Sequence, residues 1–248
     1  MIFIDFEVFK YDWLCVAVDS KTNKTHNIVN DREEFKRFYE DNVKDIWVGY
    51  NIRGYDQYIM KGLILDMDIN QINDHIIAGN QGWRFSSMFM KVPLNIYDVQ
   101  TTYHSLKTLE GYMGENIEET DVSFELRRPL TQEEIDLTIE YCTHDVEQTV
   151  KVFFEKIEEF ESHIGLINMF ELPLKYISKT KAQLSAMILN ARKPSVDRGD
   201  ETDVTIVDTL KIDKYKYVLN WFKNTTEWAE GGSLNYVVAG VPLSLIHI

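Results

Sequence analysis

Asp5 and Glu7 near the start of the chain, Asp56 farther on, and Tyr141 and Asp145 well beyond it are spaced so that one site can gather them. Asp5 and Glu7 are two apart in the strand-like run Ile2-Phe3-Ile4-Asp5-Phe6-Glu7, so both point to one face. Ile2, Ile4 and Phe6 then point into a core on the other. Two carboxylates on a core strand are costly unless a cation neutralises them, and hard oxygen ligands of this kind suit Mg²⁺ or Mn²⁺. The plain alternative is an exposed edge strand with solvated acids. Tyr141 and Asp145 are four apart in a helical stretch and share one face, with Ile135, Ile139, Val146 and Val150 as the apolar positions around them. Read alone, they are an ordinary surface pair. Gly49-Tyr50-Asn51 followed by Asp56 joins a strand end to a helix start, where side chains face clefts. There the plain alternative is a turn asparagine and a first-turn helix acid.

The elements that must position these groups read clearly. Residues 2–7 and 13–19 are strands joined by a turn at 9–12, and 26–29 is a third strand. Asp31 precedes an amphipathic helix over 32–42 with Phe35, Phe38 and Tyr39 on one side. A short buried strand covers 46–49, helical spacing resumes over 55–65, and 95–99 is a further strand. Ser105 caps a helix ending near Gly114. Thr131-Gln132-Glu133-Glu134 is a capping box, and the helix it opens runs to about Phe160 without Gly or Pro. Residues 173–192 form another helical unit, and 193–203 is a polar loop and the linker candidate. Three strands followed by alternating strand and helix predict an α/β fold, a mixed sheet with helices packed on it.

At 248 residues, one domain plus a partial second is expected. No apolar run approaches ~18 residues, so no membrane span is expected, and the first residues lack the basic region of a signal peptide. The isolated cysteines Cys15 and Cys142 point to a reducing cytosol. A net charge of −14 argues against coating nucleic acid over a broad surface, but not against holding a strand end in a cleft where bound cations supply positive charge. Among the histidines His75, His104 and His144, no pair has zinc-ligand spacing. His144 lies about 100° round the helix from Asp145 and is expected to stay out of its site.

Taken in order, Asp-x-Glu, then Asn51-x4-Asp56, then Tyr141-x3-Asp145 resembles the three motifs of DEDD-type 3′–5′ exonucleases, in the subclass with tyrosine in the third motif. Gly49-Tyr50-Asn51-Ile52 followed by Tyr55-Asp56 resembles the second motif of family B DNA polymerases, and Ser105-Leu106-Lys107-Thr108-Leu109-Glu110 is similar to a segment found between the second and third. The resemblance covers residues 1–160 and is to the N-terminal proofreading domain of a phage-type polymerase. It departs at Val8 and Phe9, where many relatives carry a small hydroxyl residue after the first motif.

The resemblance implies a ribonuclease H-like core over 1–165, and a helical connector leading into the truncated start of a polymerase region over 166–248. It implies two Mg²⁺ or Mn²⁺ ions held by Asp5, Glu7, Asp56 and Asp145, with Asp5 bridging both and Asp56 acting through water. Tyr141 would orient the attacking water, since a phenol with a pKa near 10 is a poor base at neutral pH. The substrate would be a single-stranded DNA 3′ end shortened by one nucleoside monophosphate at a time, in the cytoplasm of a bacterial host. Asn51, Tyr55 and Lys107 are the candidate strand contacts, Lys107 reading also as a solvated helix lysine. Tyr50, Tyr103, Phe124 and Phe9 are candidate stacking partners, with core packing as the alternative for each. The other readings are a free-standing DNA or RNA exonuclease and a non-catalytic nucleic-acid-binding module of the same fold. The apolar end after Pro242, following a β-like segment at 234–238, reads as a fragment of something longer or as a foreign tail.

Overall fold

Ile2, Ile4, Phe6 and Val8 alternate with Phe3, Asp5 and Glu7 along β1 (Ile2–Val8), and the two sets meet different layers of the protein. In the computed structural model, residues 1–100, 104–114, 117, 120–191, 216–217, 235–238 and 241–244 are described. They fall into two compact units, Met1–Ala191 and Arg192–Ile248.

The first unit is built on a five-stranded mixed sheet. β1 pairs antiparallel along its whole length with β2 (Trp13–Asp19), which pairs antiparallel with β3 (Lys24–Val29). On its other side β1 runs parallel to β4 (Ile46–Gly49), and β4 runs parallel to β5 (Asn95–Asp98). The order β3-β2-β1-β4-β5 makes β1 the central strand, so the exposed-edge reading of Asp5 and Glu7 does not hold.

One face of the sheet packs Ile2, Ile4 and Phe6 against Phe35 and Phe38 of α1 (Arg32–Asn42), Ile59 and Leu63 of α2 (Asp56–Ile64), and Ile69 and Ile72 of α3 (Ile69–Ile77). The opposite face packs Phe3, Leu14, Val16 and Val48 against a long helix carrying Cys142, Val146, Val152 and Phe153. Before that helix comes α4 (Leu106–Met113), capped by Ser105 and ended by Gly114 at φ +75°, as its sequence predicts. The long helix, α5 (Gln132–Glu155), opens with the expected capping box, Thr131 and Glu134 each bonding the other's backbone N–H.

The single helix expected to reach Phe160 is two. α5 stops at Lys156, whose N–H bonds back to the Val152 and Phe153 carbonyls and whose φ of −111° and ψ of 20° are not helical, and α6 (Ile157–Met169) follows it. The break lets Phe153 and Phe160 meet edge-on at 5.0 Å while both pack edge-on against Tyr97. Periodicity cannot reveal this, because both halves keep a helical pattern. The helical unit expected over 173–192 is a 3₁₀ turn (Leu174–Ser178) and α7 (Lys181–Ile188), which begins with a second capping box at Thr180 and Gln183. Ser178 Oγ accepts from the Ile96 N–H and ties this region to β5. The expected boundary at 165/166 falls within α6, and the first unit runs on to Ala191.

In the second unit, β6 (Asn235–Val238) and β7 (Val241–Ser244) form an antiparallel pair where a β-like segment was expected. The linker candidate 193–203 lies outside the described residues. No described helix is long and apolar enough to cross a membrane.

Candidate metal centre

α5 lies over β1 and β2, and its buried stripe of Thr138, Cys142, Val146, Thr149 and Phe153 faces the sheet. Tyr141 and Asp145 flank that stripe and so stand at the rim of the contact, above the face from which Asp5 and Glu7 project. The turn after β1 anchors the approach to α5. Asp12 Oδ2 accepts the Leu130 N–H at 2.8 Å, and Asp12 Oδ1 accepts from Asn30 Nδ2 at 2.7 Å. A carboxylate 118 residues away in sequence thus holds the residue just before the Thr131 cap.

The result is a convergence of carboxylates. Asp5, Glu7 and Asp145 bring ligand oxygens within 4.8 Å of one another. Each keeps some opening to solvent, yet protein packs closely around their carboxylates. Burial, and next the charge of Asp145, push the Asp5 carboxyl up to about 7. Burial, and then Asp5, Asp145 and Asp56, push Glu7 well above the usual range. Like charges this close resist joint ionisation unless a cation sits among them. Oxygen donors alone, with no sulfur or nitrogen among these three, fit Mg²⁺ or Mn²⁺.

Asp56 stands outside that set. It is buried at the first turn of α2, and burial followed by the charge of Asp5 raises its carboxyl well above the usual range. Its Oδ1 is enclosed and accepts no hydrogen bond from a described residue, which suits a ligand reached through water. It is therefore more than a first-turn acid at the surface.

The loop before Asp56 is shaped by Asp98, which sequence reasoning missed. Asp98 Oδ1 accepts the N–H groups of Asn51 and Gln100, and Oδ2 accepts that of Arg53, each at 3.0 Å. Asn51 adopts the left-handed region at φ 57°. A Cβ on Gly54 would meet Asn51 Oδ1 at 2.3 Å, so a larger residue there would have to displace the Asn51 side chain. A buried acid at a strand end, just before a loop, is the one sequence signal that points to Asp98.

Tyr141 donates its hydroxyl hydrogen bond to Asp145. Burial, then the charges of Asp145 and Glu7, hold the phenol protonated far above its ordinary range. Lys107 Nζ lies 4.6 Å from the Tyr141 ring centroid, and its charge also reaches Asp5 and Glu7. Cys142, unremarked by its spacing, sits under the site, fully buried, with Sγ 3.5 Å from both the carbonyl oxygen and Oδ2 of Asp5. Burial keeps that thiol protonated.

One expectation about a neighbouring residue is corrected. His144 does not stay apart. Its Nε2 is 3.9 Å from the Oε2 of Glu110, and Glu110, His144 and Asp145 bring ligand atoms within 4.8 Å. An offset of about 100° on the helix separates two side chains at their roots, but the fully buried Glu110 on α4 lies where both can reach. Of the two readings of Phe9 the core role holds, since it is buried and covered by Phe124, the rings stacked at 4.8 Å and 12°.

A cleft of about 1500 Å³ opens beside Glu7, lined among others by Asn51, Tyr55, Asn73, Phe124 and Arg127. Tyr55 donates its hydroxyl to Asn73 Oδ1 at 2.7 Å, presenting its ring rather than a free hydroxyl. Tyr50 donates to the His104 carbonyl at 2.6 Å. Tyr103 lies outside the described residues.

Fold and site together define an α/β protein with a cluster of acidic residues that could hold a metal ion. Compared with protein-family models, with curated proteins and with solved structures, the chain has no match in any of the three.

Proposed function

We propose that the chain is a metal-dependent 3′–5′ exonuclease that shortens single-stranded DNA ends, serving as the proofreading part of a DNA polymerase. The observation that carries the reading is the meeting of Asp5, Glu7 and Asp145 within 4.8 Å beneath a Tyr141 bonded to Asp145. These are the residues of the first and third motifs, brought together from opposite ends of a 141-residue span. Support for a ribonuclease H-like core comes from the strand order, in which β2 alone runs antiparallel to its neighbours.

Two divalent cations bound there would supply an activated water and neutralise charge on the phosphate and the leaving 3′-oxygen. Asp5, Glu7 and Asp145 would hold them together, with Asp56 acting through water. Tyr141, kept as a phenol, orients the attacking water by hydrogen bond and does not take its proton. The cleft beside Glu7 receives the strand end, with Asn51 and the Tyr55 ring on its lining, while Lys107 stands over the Tyr141 ring. Phe124, half exposed, presents the outer face of its ring to the same cleft.

Asp5→Ala and Asp145→Ala should each abolish Mg²⁺-dependent degradation of a 3′-labelled oligonucleotide, and undiminished activity in both would sink the assignment. Primer extension with deoxynucleotides should be absent from this chain alone.

A further inference from the structure

The chemistry proposed above uses Asp5 as the shared ligand, which demands that both its oxygens be aimed correctly. What aims them is not in the three motifs. Cys142 Sγ lies 3.5 Å from Asp5 Oδ2 and 3.5 Å from the Asp5 carbonyl oxygen, at a position with no solvent exposure. A thiol has one proton to give, and the two acceptors belong to the same residue. Whichever it serves, the sulfur bridges the backbone and the carboxylate of Asp5 and opposes rotation of that carboxylate about its last torsion. Aspartate is broad and roughly two-fold at that torsion, so without a partner the group has no sharp preference.

Resting on that reading, we propose that Cys142 is a positioning residue. Its S–H holds Oδ2 of Asp5 and so fixes how the two oxygens of that carboxylate are presented to the cation. The helix supplies both halves of the arrangement. Tyr141 and Asp145 face the reacting groups from α5, while Cys142, one residue on and about 100° round, faces the strand that carries Asp5. Seating α5 on β1 therefore sets the third-motif ligand and the orientation of the first-motif ligand in one step. Groups that orient metal ligands in this way commonly matter nearly as much as the ligands themselves.

The test measures Mn²⁺ affinity by electron paramagnetic resonance and, in parallel, the Mg²⁺ concentration giving half-maximal cleavage. Cys142→Ala removes the donor, whereas Cys142→Ser keeps one. The alanine variant should bind Mn²⁺ about tenfold more weakly, the low end for an orienting group because a thiol is a weak donor. It should need correspondingly more Mg²⁺, with kcat at saturating metal nearly unchanged. The serine variant should recover most of the affinity even if both variants melt at lower temperature. Equal weakening in the two would reduce Cys142 to packing, and unchanged affinity in the alanine variant would remove its role altogether. Both outcomes leave the exonuclease reading standing as long as Asp5→Ala abolishes Mn²⁺ binding. Absence of Mn²⁺ binding by the unaltered chain would overturn the two together.

Discussion

At the scale of single residues, the division of labour between Tyr141 and Asp145 follows from their environment. The phenol is half-buried beside three carboxylates, and its proton is already committed to Asp145. It can orient a water but cannot become a base near neutral pH. Tyr141→Phe should therefore lower kcat about tenfold, the worth of one hydrogen bond of roughly 1.4 kcal/mol, and weaken metal binding as well, because the same hydroxyl bonds the ligand Asp145. Single-turnover cleavage and Mn²⁺ titration on the same variant measure the two effects. The pairing of Tyr141 with Asp145 is legible from their spacing of four, and the shared face of Asp5 and Glu7 from their spacing of two. Cys142 and His144 are legible from neither. Whether a helix residue faces the strand or the cleft depends on how the helix is rolled, and only packing sets that.

Among the elements, the loop between β4 and α2 depends on a residue from another strand. Asp98 gathers three backbone N–H groups, two of them from that loop, and so fixes where Asp56 begins its helix. Burial raises the Asp98 carboxyl in spite of these bonds. Removing it leaves donors unsatisfied in a confined place. Asp98→Ala should cost about 2–3 kcal/mol and lower the melting temperature by roughly 5–10 °C. It should also weaken metal binding, because Asp56 loses its placement. Thermal unfolding with and without Mg²⁺ checks both parts, and a variant that melts early yet gains full stabilisation from Mg²⁺ would separate the loop from the site. The individual helices show the same split between local and distant control. The caps at Ser105, Thr131 and Thr180 act over three residues and are visible in the chain. The break at Lys156 answers to aromatic packing against Tyr97 on β5 and is not.

For the whole molecule, the acidic centre couples stability to pH and metal. Asp5 titrates at about 7 in the folded protein against an ordinary value of 3.8, and Glu7 and Asp56 are raised as well. Between those two values the folded state holds more protons than the unfolded one, so stability falls as pH rises through that window. The metal-free protein should therefore melt at progressively lower temperature from about pH 5 to about pH 8 on account of these groups. A divalent cation competes with the same protons. The rise in melting temperature on adding Mg²⁺ should accordingly be small at pH 5 and largest at pH 8, as a calorimetric series across that range with and without chelator would show. A metal effect independent of pH would mean that the cation binds elsewhere.

Strand parity put Asp5 and Glu7 on one face and helical spacing put Tyr141 and Asp145 on one face, because those rules act within a few residues and survive without the fold. Joining them with Asp56 into one set rested on the resemblance carried by their order along the chain. Local rules were enough too for the strands and most helix ends. Tertiary structure alone decided that β1 is central rather than an edge, and so that its acids are enclosed. It decided that α5 turns Cys142 toward Asp5, that Glu110 draws His144 toward Asp145, and that Asp98 holds the loop before Asp56. Each of these is a contact between segments 34 to 137 residues apart. No local pattern encodes such contacts, since they exist only once the hydrophobic faces of sheet and helix have found one another.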